Sequence, residues 1–211
     1  FGNRVSIVAP EKMEDAIAAL KGKMVLVDER RTSVWFTNLL SAQGIEWIDS
    51  KDPSIILKAR KNEAEKESMR RAHIRDGAAI TKFLKWLSEN GVGKTEIEIE
   101  QKLEAFRREA KEYRDSSFDT IAGFGSNGAI VHYRATPETA KTLEEGNLLL
   151  LDSGAQYADG TTDITRTVAI GEPTKDMKER FTLVLKAHIA VATARFPVGT
   201  TGAQIDALAR A

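Results

Sequence analysis

Four leucines in succession, Leu148 to Leu151, run directly into Asp152-Ser153-Gly154, and an apolar run closed by a carboxylate constrains this chain more than any other feature. An uninterrupted apolar stretch of that length, bounded by turn residues, reads as a buried strand. The carboxylate at its end must be hydrogen-bonded, ion-paired or metal-bound, because taking it out of water unpartnered costs several kcal/mol. Past the turn signal Asp159-Gly160 comes a threonine-rich run, Thr161-Thr162-Asp163-Ile164-Thr165-Arg166-Thr167-Val168, which suits a second strand. The result is a hairpin carrying two aspartates. Spacing alone leaves two readings open: Asp152 caps a turn while Asp163 pairs with Arg166 or another base, or both carboxylates serve one metal site.

Register separates these readings. A two-residue Asp159-Gly160 turn would set Asp152 opposite Thr167 and Asp163 opposite Gln156, leaving the aspartates on one face but roughly 13 Å apart along it. Two ions in a hydrolase sit about 3.5 to 4 Å apart, so a shared site needs Asp152 nearly opposite Asp163. A longer loop or a bulge is therefore expected in the hairpin.

Composition excludes several other chemistries. The 211 residues contain no cysteine, which removes disulfides, thiolate zinc sites and cysteine nucleophiles and fits a reducing cytoplasm. Any metal must be held by oxygen or imidazole. With 31 basic and 31 acidic side chains, the chain offers no excess charge for nucleic acid or an anionic membrane. No apolar stretch approaches the roughly 20 residues that span a bilayer. The start at Phe1 and a final run, Gly202 to Ala211, that reads as a helix still in phase suggest a piece of a longer chain at both ends.

The chain before residue 56 alternates strand-like and helix-like runs: Val5 to Ala9, Pro10 to Leu20, Lys23 to Asp28, Thr32 to Ala42 and Ile45 to Ile48. That order predicts a small α/β unit. Charged residues then accumulate from about Ile56 and read as a solvated linker and helix face. Met69, Ala72, Ile80, Phe83 and Leu87 mark one stripe of a long helix ending near Asn90-Gly91. Thr95 and Glu98 have capping-box spacing ahead of a second helix with Ile99, Leu103, Phe106 and Ala110 on its buried face. A third helix is expected from Thr174 to about Arg195, with His188 facing the core alongside Met177, Phe181, Val184 and Val191. His73, among arginines on the first long helix, carries no assigned role.

Gly123-Phe124-Gly125-Ser126-Asn127-Gly128 matches the Gly-x-Gly-x-x-Gly dinucleotide fingerprint, but its context does not. The β-branched and aromatic run that follows, Ala129-Ile130-Val131-His132-Tyr133, predicts a strand, so no helix N-terminus would face a phosphate. The glycines are read as a turn between strands.

The strings Asp152-Ser153-Gly154-Ala155-Gln156-Tyr157 and Asp159-Gly160-Thr161-Thr162-Asp163-Ile164-Thr165-Arg166-Thr167 closely resemble the metal-binding hairpin of the aminopeptidase P and prolidase family of metallopeptidases. Gly128 to Tyr133 resembles that family's histidine strand, and the spacing from His132 to Asp152 resembles the cytosolic three-domain Xaa-Pro aminopeptidases. The likeness runs on through Gly199-Thr200-Thr201-Gly202, and more weakly back to Arg60-Lys61-Asn62.

This resemblance implies an α/β (α+β) architecture in which residues 1–55 form the C-terminal part of a creatinase-like α/β domain. Residues 56–211 would form the N-terminal half of a pita-bread catalytic domain. It implies two divalent ions, in most of the family Mn2+, held by two Asp, one His and two Glu. Asp152 matches a ligand of one ion, Asp163 the ligand that bridges both, and His132 the histidine that contacts substrate near the scissile bond. The implied reaction is hydrolysis of the bond between an N-terminal residue and a penultimate proline, in the cytoplasm, with peptides as partners and a homodimer as a family expectation. The other three ligands match nothing in this chain, so the 211 residues alone are expected to bind manganese weakly and to hydrolyse nothing. Prolidase is the nearest enzyme alternative. A non-catalytic pita-bread binding protein or a metal-free creatinase-like amidinohydrolase fits less well with His132, Asp152 and Asp163 all retained.

Overall fold

A computed structural model of the chain describes residues 6–211. The chain divides into two compact units, the first ending at Asn62 and the second running from Glu63 to Ala211.

In the first unit Pro10 opens a 3-10 turn, Pro10–Lys12, that leads into α1 (Met13–Ala18), followed by β1 (Val25–Val27), α2 (Val34–Ala42), β2 (Trp47–Asp49) and α3 (Ser54–Ala59). Ser33 caps α2 by accepting from the Trp35 amide, and Gly44 ends the connection with a φ of 66° that a side chain would resist. β1 and β2 pair in parallel, Val25 opposite Trp47, over a core of Ile17, Val27, Leu40 and Ile45. The strand expected over Val5 to Ala9 does not form: Val5 lies outside the described residues, and Ser6 to Ala9 are irregular, with Ile7 and Val8 exposed.

The second unit begins with α4 (Glu63–Asn90) and α5 (Glu96–Arg108). The apolar spacing of α4 buries Ala72, Ala79, Ile80, Phe83 and Leu87 on one face, and the capping box at Thr95 and Glu98 starts α5. Then come β3 (Tyr113–Ser116), β4 (Ile121–Phe124), a 3-10 segment (Gly125–Ala129), β5 (Asn147–Ser153), β6 (Ala155–Tyr157), β7 (Gly160–Thr161), β8 (Ile164–Ile170), α6 (Lys175–Ala192) and α7 (Gly202–Arg210). The strands form two antiparallel sheets, β4-β5-β8 and β3-β6-β7. Ile80, Phe83 and Leu87 of α4 and Ile99 and Leu103 of α5 pack with Ala122, Phe124, Leu149, Leu151 and Ile170 of the first sheet. This mixed helix and strand unit holds the hairpin against two helices.

The structure departs from the sequence-based expectations at three further places. The four leucines are not buried throughout: Leu149 and Leu151 are, but Leu148 and Leu150 point to the other sheet face and are half-buried. His188 is exposed, because α6 buries none of its residues and leaves Phe181, Val184, Leu185 and Ile189 open as well. The run Ala129 to Tyr133 is not a strand. Residues up to Ala129 complete the 3-10 segment, Val131 and His132 form a turn, and Ile130 and Val131 are exposed.

Candidate metal centre

The hairpin turns on Ala158 and Asp159, since Tyr157 pairs with Gly160 and Gln156 with Thr161. That register continues without an inserted residue to Ser153 opposite Ile164 and Asp152 opposite Thr165. The expected bulge or longer loop is therefore absent, and the turn has moved one residue back from Asp159-Gly160. Two contacts with α4 account for the shift. The Asp159 carboxylate is gripped by Arg75, whose Nη1 and Nη2 donate to Oδ1 and Oδ2 at 2.8 and 3.2 Å. Gly160 lies so near α4 that a Cβ on it would meet Ala72 Cβ at 2.9 Å and Met69 Sδ at 3.0 Å. The Arg75 hydrogen bonds hold the Asp159 carboxyl below the usual carboxylate range.

In this register Asp163 lies two residues from Thr165, the partner of Asp152, which makes the two aspartates diagonal neighbours. Such positions are about 7 to 8 Å apart, within reach of two flexible carboxylates closing on neighbouring ions. Asp152 accepts one hydrogen bond, from Thr165 Oγ1 at 2.8 Å. Asp163 is exposed and makes no hydrogen bond or ion pair among the described residues. The reading in which it pairs with Arg166 does not hold, because Arg166 Nη1 donates to the Thr165 carbonyl instead.

The backbone between these two carboxylates is held from beneath. Arg107, 2% exposed, donates from Nε and Nη2 to the two oxygens of Asp76 at 2.8 and 3.1 Å. The same guanidinium donates to Ser153 Oγ at 3.1 Å and to the Gly154 carbonyl at 3.3 Å, directly after Asp152. Tyr157 adds its hydroxyl to Asp76 Oδ1 at 2.9 Å, and burial together with that carboxylate pushes its phenol up. Ahead of Asp163, Thr162 Oγ1 accepts from the Ala155 amide at 3.0 Å, and Ser117 Oγ donates to the Thr162 carbonyl at 3.0 Å. Two carboxylates without a cationic partner among the described residues thus stand on a fixed frame, and their hard oxygens suit divalent ions such as Mn2+, Mg2+ or Ca2+. Among the described residues no group of three or more His, Cys, Asp or Glu side chains could hold a metal by itself.

His132 is exposed on its turn with a φ of 56°, the one positive value at a described non-glycine residue. It makes no hydrogen bond among the described residues. The next residue, Tyr133, is buried, and its hydroxyl donates to Glu96 Oε2 at 2.7 Å. Sequence reasoning missed Asp76, Glu96 and Arg107. A signal was present in helix phase: Glu96, Ile99, Leu103 and Arg107 are the buried residues of α5, so two charges share its apolar stripe.

The sequence model of metallopeptidase family M24 matches residues 67–211. This chain belongs to that family. Among M24 relatives, a "Probable Xaa-Pro aminopeptidase P" of Laccaria bicolor is 49% identical over 163 residues, 76% of this chain and 25% of the relative. "Aminopeptidase P2" of Arabidopsis thaliana is 49% identical over 156 residues, 72% of this chain and 22% of the relative. The X-prolyl aminopeptidase of Caenorhabditis elegans, described as a cytosolic enzyme with a di-nuclear active site, superposes with a TM-score of 0.85 at 33% identity. That match covers 98% of this chain and 35% of the C. elegans chain. A prolidase of Pyrococcus horikoshii matches at 27% identity with a TM-score of 0.79 over 98% of this chain and 58% of its own. The fold is the mixed α/β pita-bread arrangement of the M24 proteins, and the chain spans about a quarter of the length of its curated relatives.

Proposed function

We propose that this chain is part of an Xaa-Pro aminopeptidase that removes the N-terminal residue from peptides with proline in second position. The observation that carries this reading is the pair of carboxylates, Asp152 and Asp163, left without cationic partners on a hairpin that Arg107 holds rigidly from below. Asp152 and Asp163 would hold two divalent ions, with Mn2+ the expected metal, through carboxylate oxygens. When bound, such ions supply Lewis acidity to the carbonyl before proline and to the attacking water. His132 offers an exposed imidazole, whose ring nitrogen donates a proton to the proline nitrogen as the bond breaks. Residues 1–55 would belong to a creatinase-like domain and 56–211 to the catalytic domain, in a cytoplasmic homodimer. Two of the family's five ligand positions are matched in this chain, so these 211 residues alone should not turn over substrate.

Curated relatives named Xaa-Pro aminopeptidase P and the 33% identity to the C. elegans X-prolyl aminopeptidase, against 27% to the P. horikoshii prolidase, favour the aminopeptidase reading. In the full-length enzyme with Mn2+, Asp163→Asn should bind less metal and lose at least about 100-fold in hydrolysis of a tripeptide with proline second. Asp15→Asn, at an exposed carboxylate on α1, should keep the activity. Undiminished turnover by Asp163→Asn would overturn the metal reading, and cleavage of dipeptides alone would replace aminopeptidase with prolidase.

A further inference from the structure

The Gly-x-Gly-x-x-Gly stretch and the carboxylate of Glu96 have no role in the proposed function, yet they are built around each other. Glu96 is 0% exposed, and no cation pairs with it among the described residues. Neutral donors surround it instead. The Phe124 amide donates to Oε1 at 2.6 Å, Asn127 Nδ2 to both oxygens at 3.1 Å, Tyr133 OH to Oε2 at 2.7 Å and the Lys141 amide to Oε2 at 3.0 Å. A charge taken fully out of water needs such a shell, and each donor becomes fixed in return. All four donor residues lie between Phe124 and Lys141, the stretch that carries His132.

The glycines let the chain reach this carboxylate. A Cβ on Gly123 would stand 2.7 Å from Gly128 Cα, and one on Gly128 would stand 3.0 Å from the Gly123 carbonyl oxygen and 3.3 Å from Leu150 Cβ. The 3-10 segment therefore folds back onto the end of β4, bringing Asn127 to Glu96. From there the chain passes through His132 at positive φ and is pinned again at once by Tyr133, whose ring is buried and whose hydroxyl is bound. The imidazole is exposed, but the backbone on which it stands is tied to a buried charge one residue away.

We infer that Glu96 is a positioning residue: by gripping Tyr133 and Asn127 it sets the His132 turn so that the imidazole meets the reacting bond. The inference rests on the role of His132 in the proposed function. It assigns the glycine motif to shaping a cradle for a carboxylate of the protein itself. α5 then aligns both parts of the site, with Glu96 at one end of its buried stripe holding the histidine turn and Arg107 at the other holding the aspartate hairpin.

A double-mutant cycle in the full-length Mn2+-loaded enzyme tests this. Tyr133→Phe removes one hydroxyl from the shell and leaves the ring in place. His132→Asn removes the imidazole and keeps a residue type that tolerates positive φ. Tyr133→Phe should lower kcat about 10-fold, with KM and bound metal unchanged, since small misplacements of a reacting group cost factors of this size or more. In the His132→Asn background the same substitution should cost nothing further. Glu96→Gln should act in the same direction more strongly; if it does not fold, Tyr133→Phe decides. Equal losses in both backgrounds, loss of metal, or no loss in the parent would each overturn the inference while leaving His132 in place. Parental activity in His132→Asn would overturn the reading of His132 and this inference together.

Discussion

Glu100 stands one turn beyond Glu96 on α5, at the edge of a cavity of about 280 Å3 that it lines with Glu104, Asp119 and Arg134. One of its oxygens, Oε1, is buried without a hydrogen-bond partner among the described residues. Burial, reinforced by the negative charge of Glu96, pushes its carboxyl from 4.5 up to about 7 despite the opposing pull of Arg134. Between those values the folded protein holds a proton that the unfolded chain has released, so stability falls as pH rises through 7 and is fully present below 4.5. A shift of this size would be worth roughly 3 kcal/mol, and about 1 to 2 kcal/mol is expected for a half-buried group reached by solvent. Glu100→Gln should therefore stabilise the protein at pH 8 by about that amount and have almost no effect at pH 4, as read from thermal unfolding across that range. Spacing shows Glu100 only as a charged residue on a helix. Its neighbour Asp119 comes from the loop before β4 and Arg134 from the stretch beyond His132, so its environment exists only in the folded chain.

The hairpin depends on Gly154, which separates β5 from β6. A Cβ there would lie 2.1 Å from the Thr162 carbonyl oxygen and 2.2 Å from Ser117 Oγ, and the Thr162 backbone cannot retreat while it is bound to Ala155. Gly154→Ala should cost about 3 kcal/mol or more, measured by urea denaturation. Arg107 makes a second demand on the same element. Arg107→Met would leave Asp76 buried with the Tyr157 hydroxyl as its remaining side-chain partner, and should cost about 3 to 5 kcal/mol in the same assay. The hairpin, its two carboxylates and the stripes of α4 and α5 were all legible in the sequence, because strand alternation and helix phase are local patterns. Its register was not. Local sequence favours a two-residue turn at Asp159-Gly160 over one at Ala158-Asp159, and the contacts of the turn with Arg75 and Met69 on α4, a distant part of the chain, override it. The turn at His132 was misread for the same reason: Ile130, Val131 and Tyr133 have strand-forming side chains, but the bond from Tyr133 to Glu96 and the close approach of Gly123 to Gly128 bend the chain first.

The two compact units meet in sequence at Asn62 and Glu63, just after the exposed, irregular Lys61. Trypsin should cut first at Arg60 or Lys61, giving a stable fragment that begins near Asn62; mass spectrometry of a timed digest identifies the site, and early cuts within α4 or α5 would contradict it. Among the described residues no helix is long and apolar enough to cross a membrane. At this scale the sequence by itself determined the class of the fold, the long helices α4 and α5, the hairpin that carries the two aspartates and the likeness to M24 metallopeptidases. Those properties follow from periodicity, capping and motif spacing, which act within a few turns or strands. Tertiary structure alone decided which charges became scaffold and which stayed free. Asp76, Glu96 and Arg107 were drawn inside because each found partners at least 28 residues away, and burial is tolerable for a charge only when such partners arrive. Asp152 and Asp163 have no cationic partner among the described residues, while Arg107 is engaged by Asp76, Arg75 by Asp159 and Arg166 by the Thr165 carbonyl.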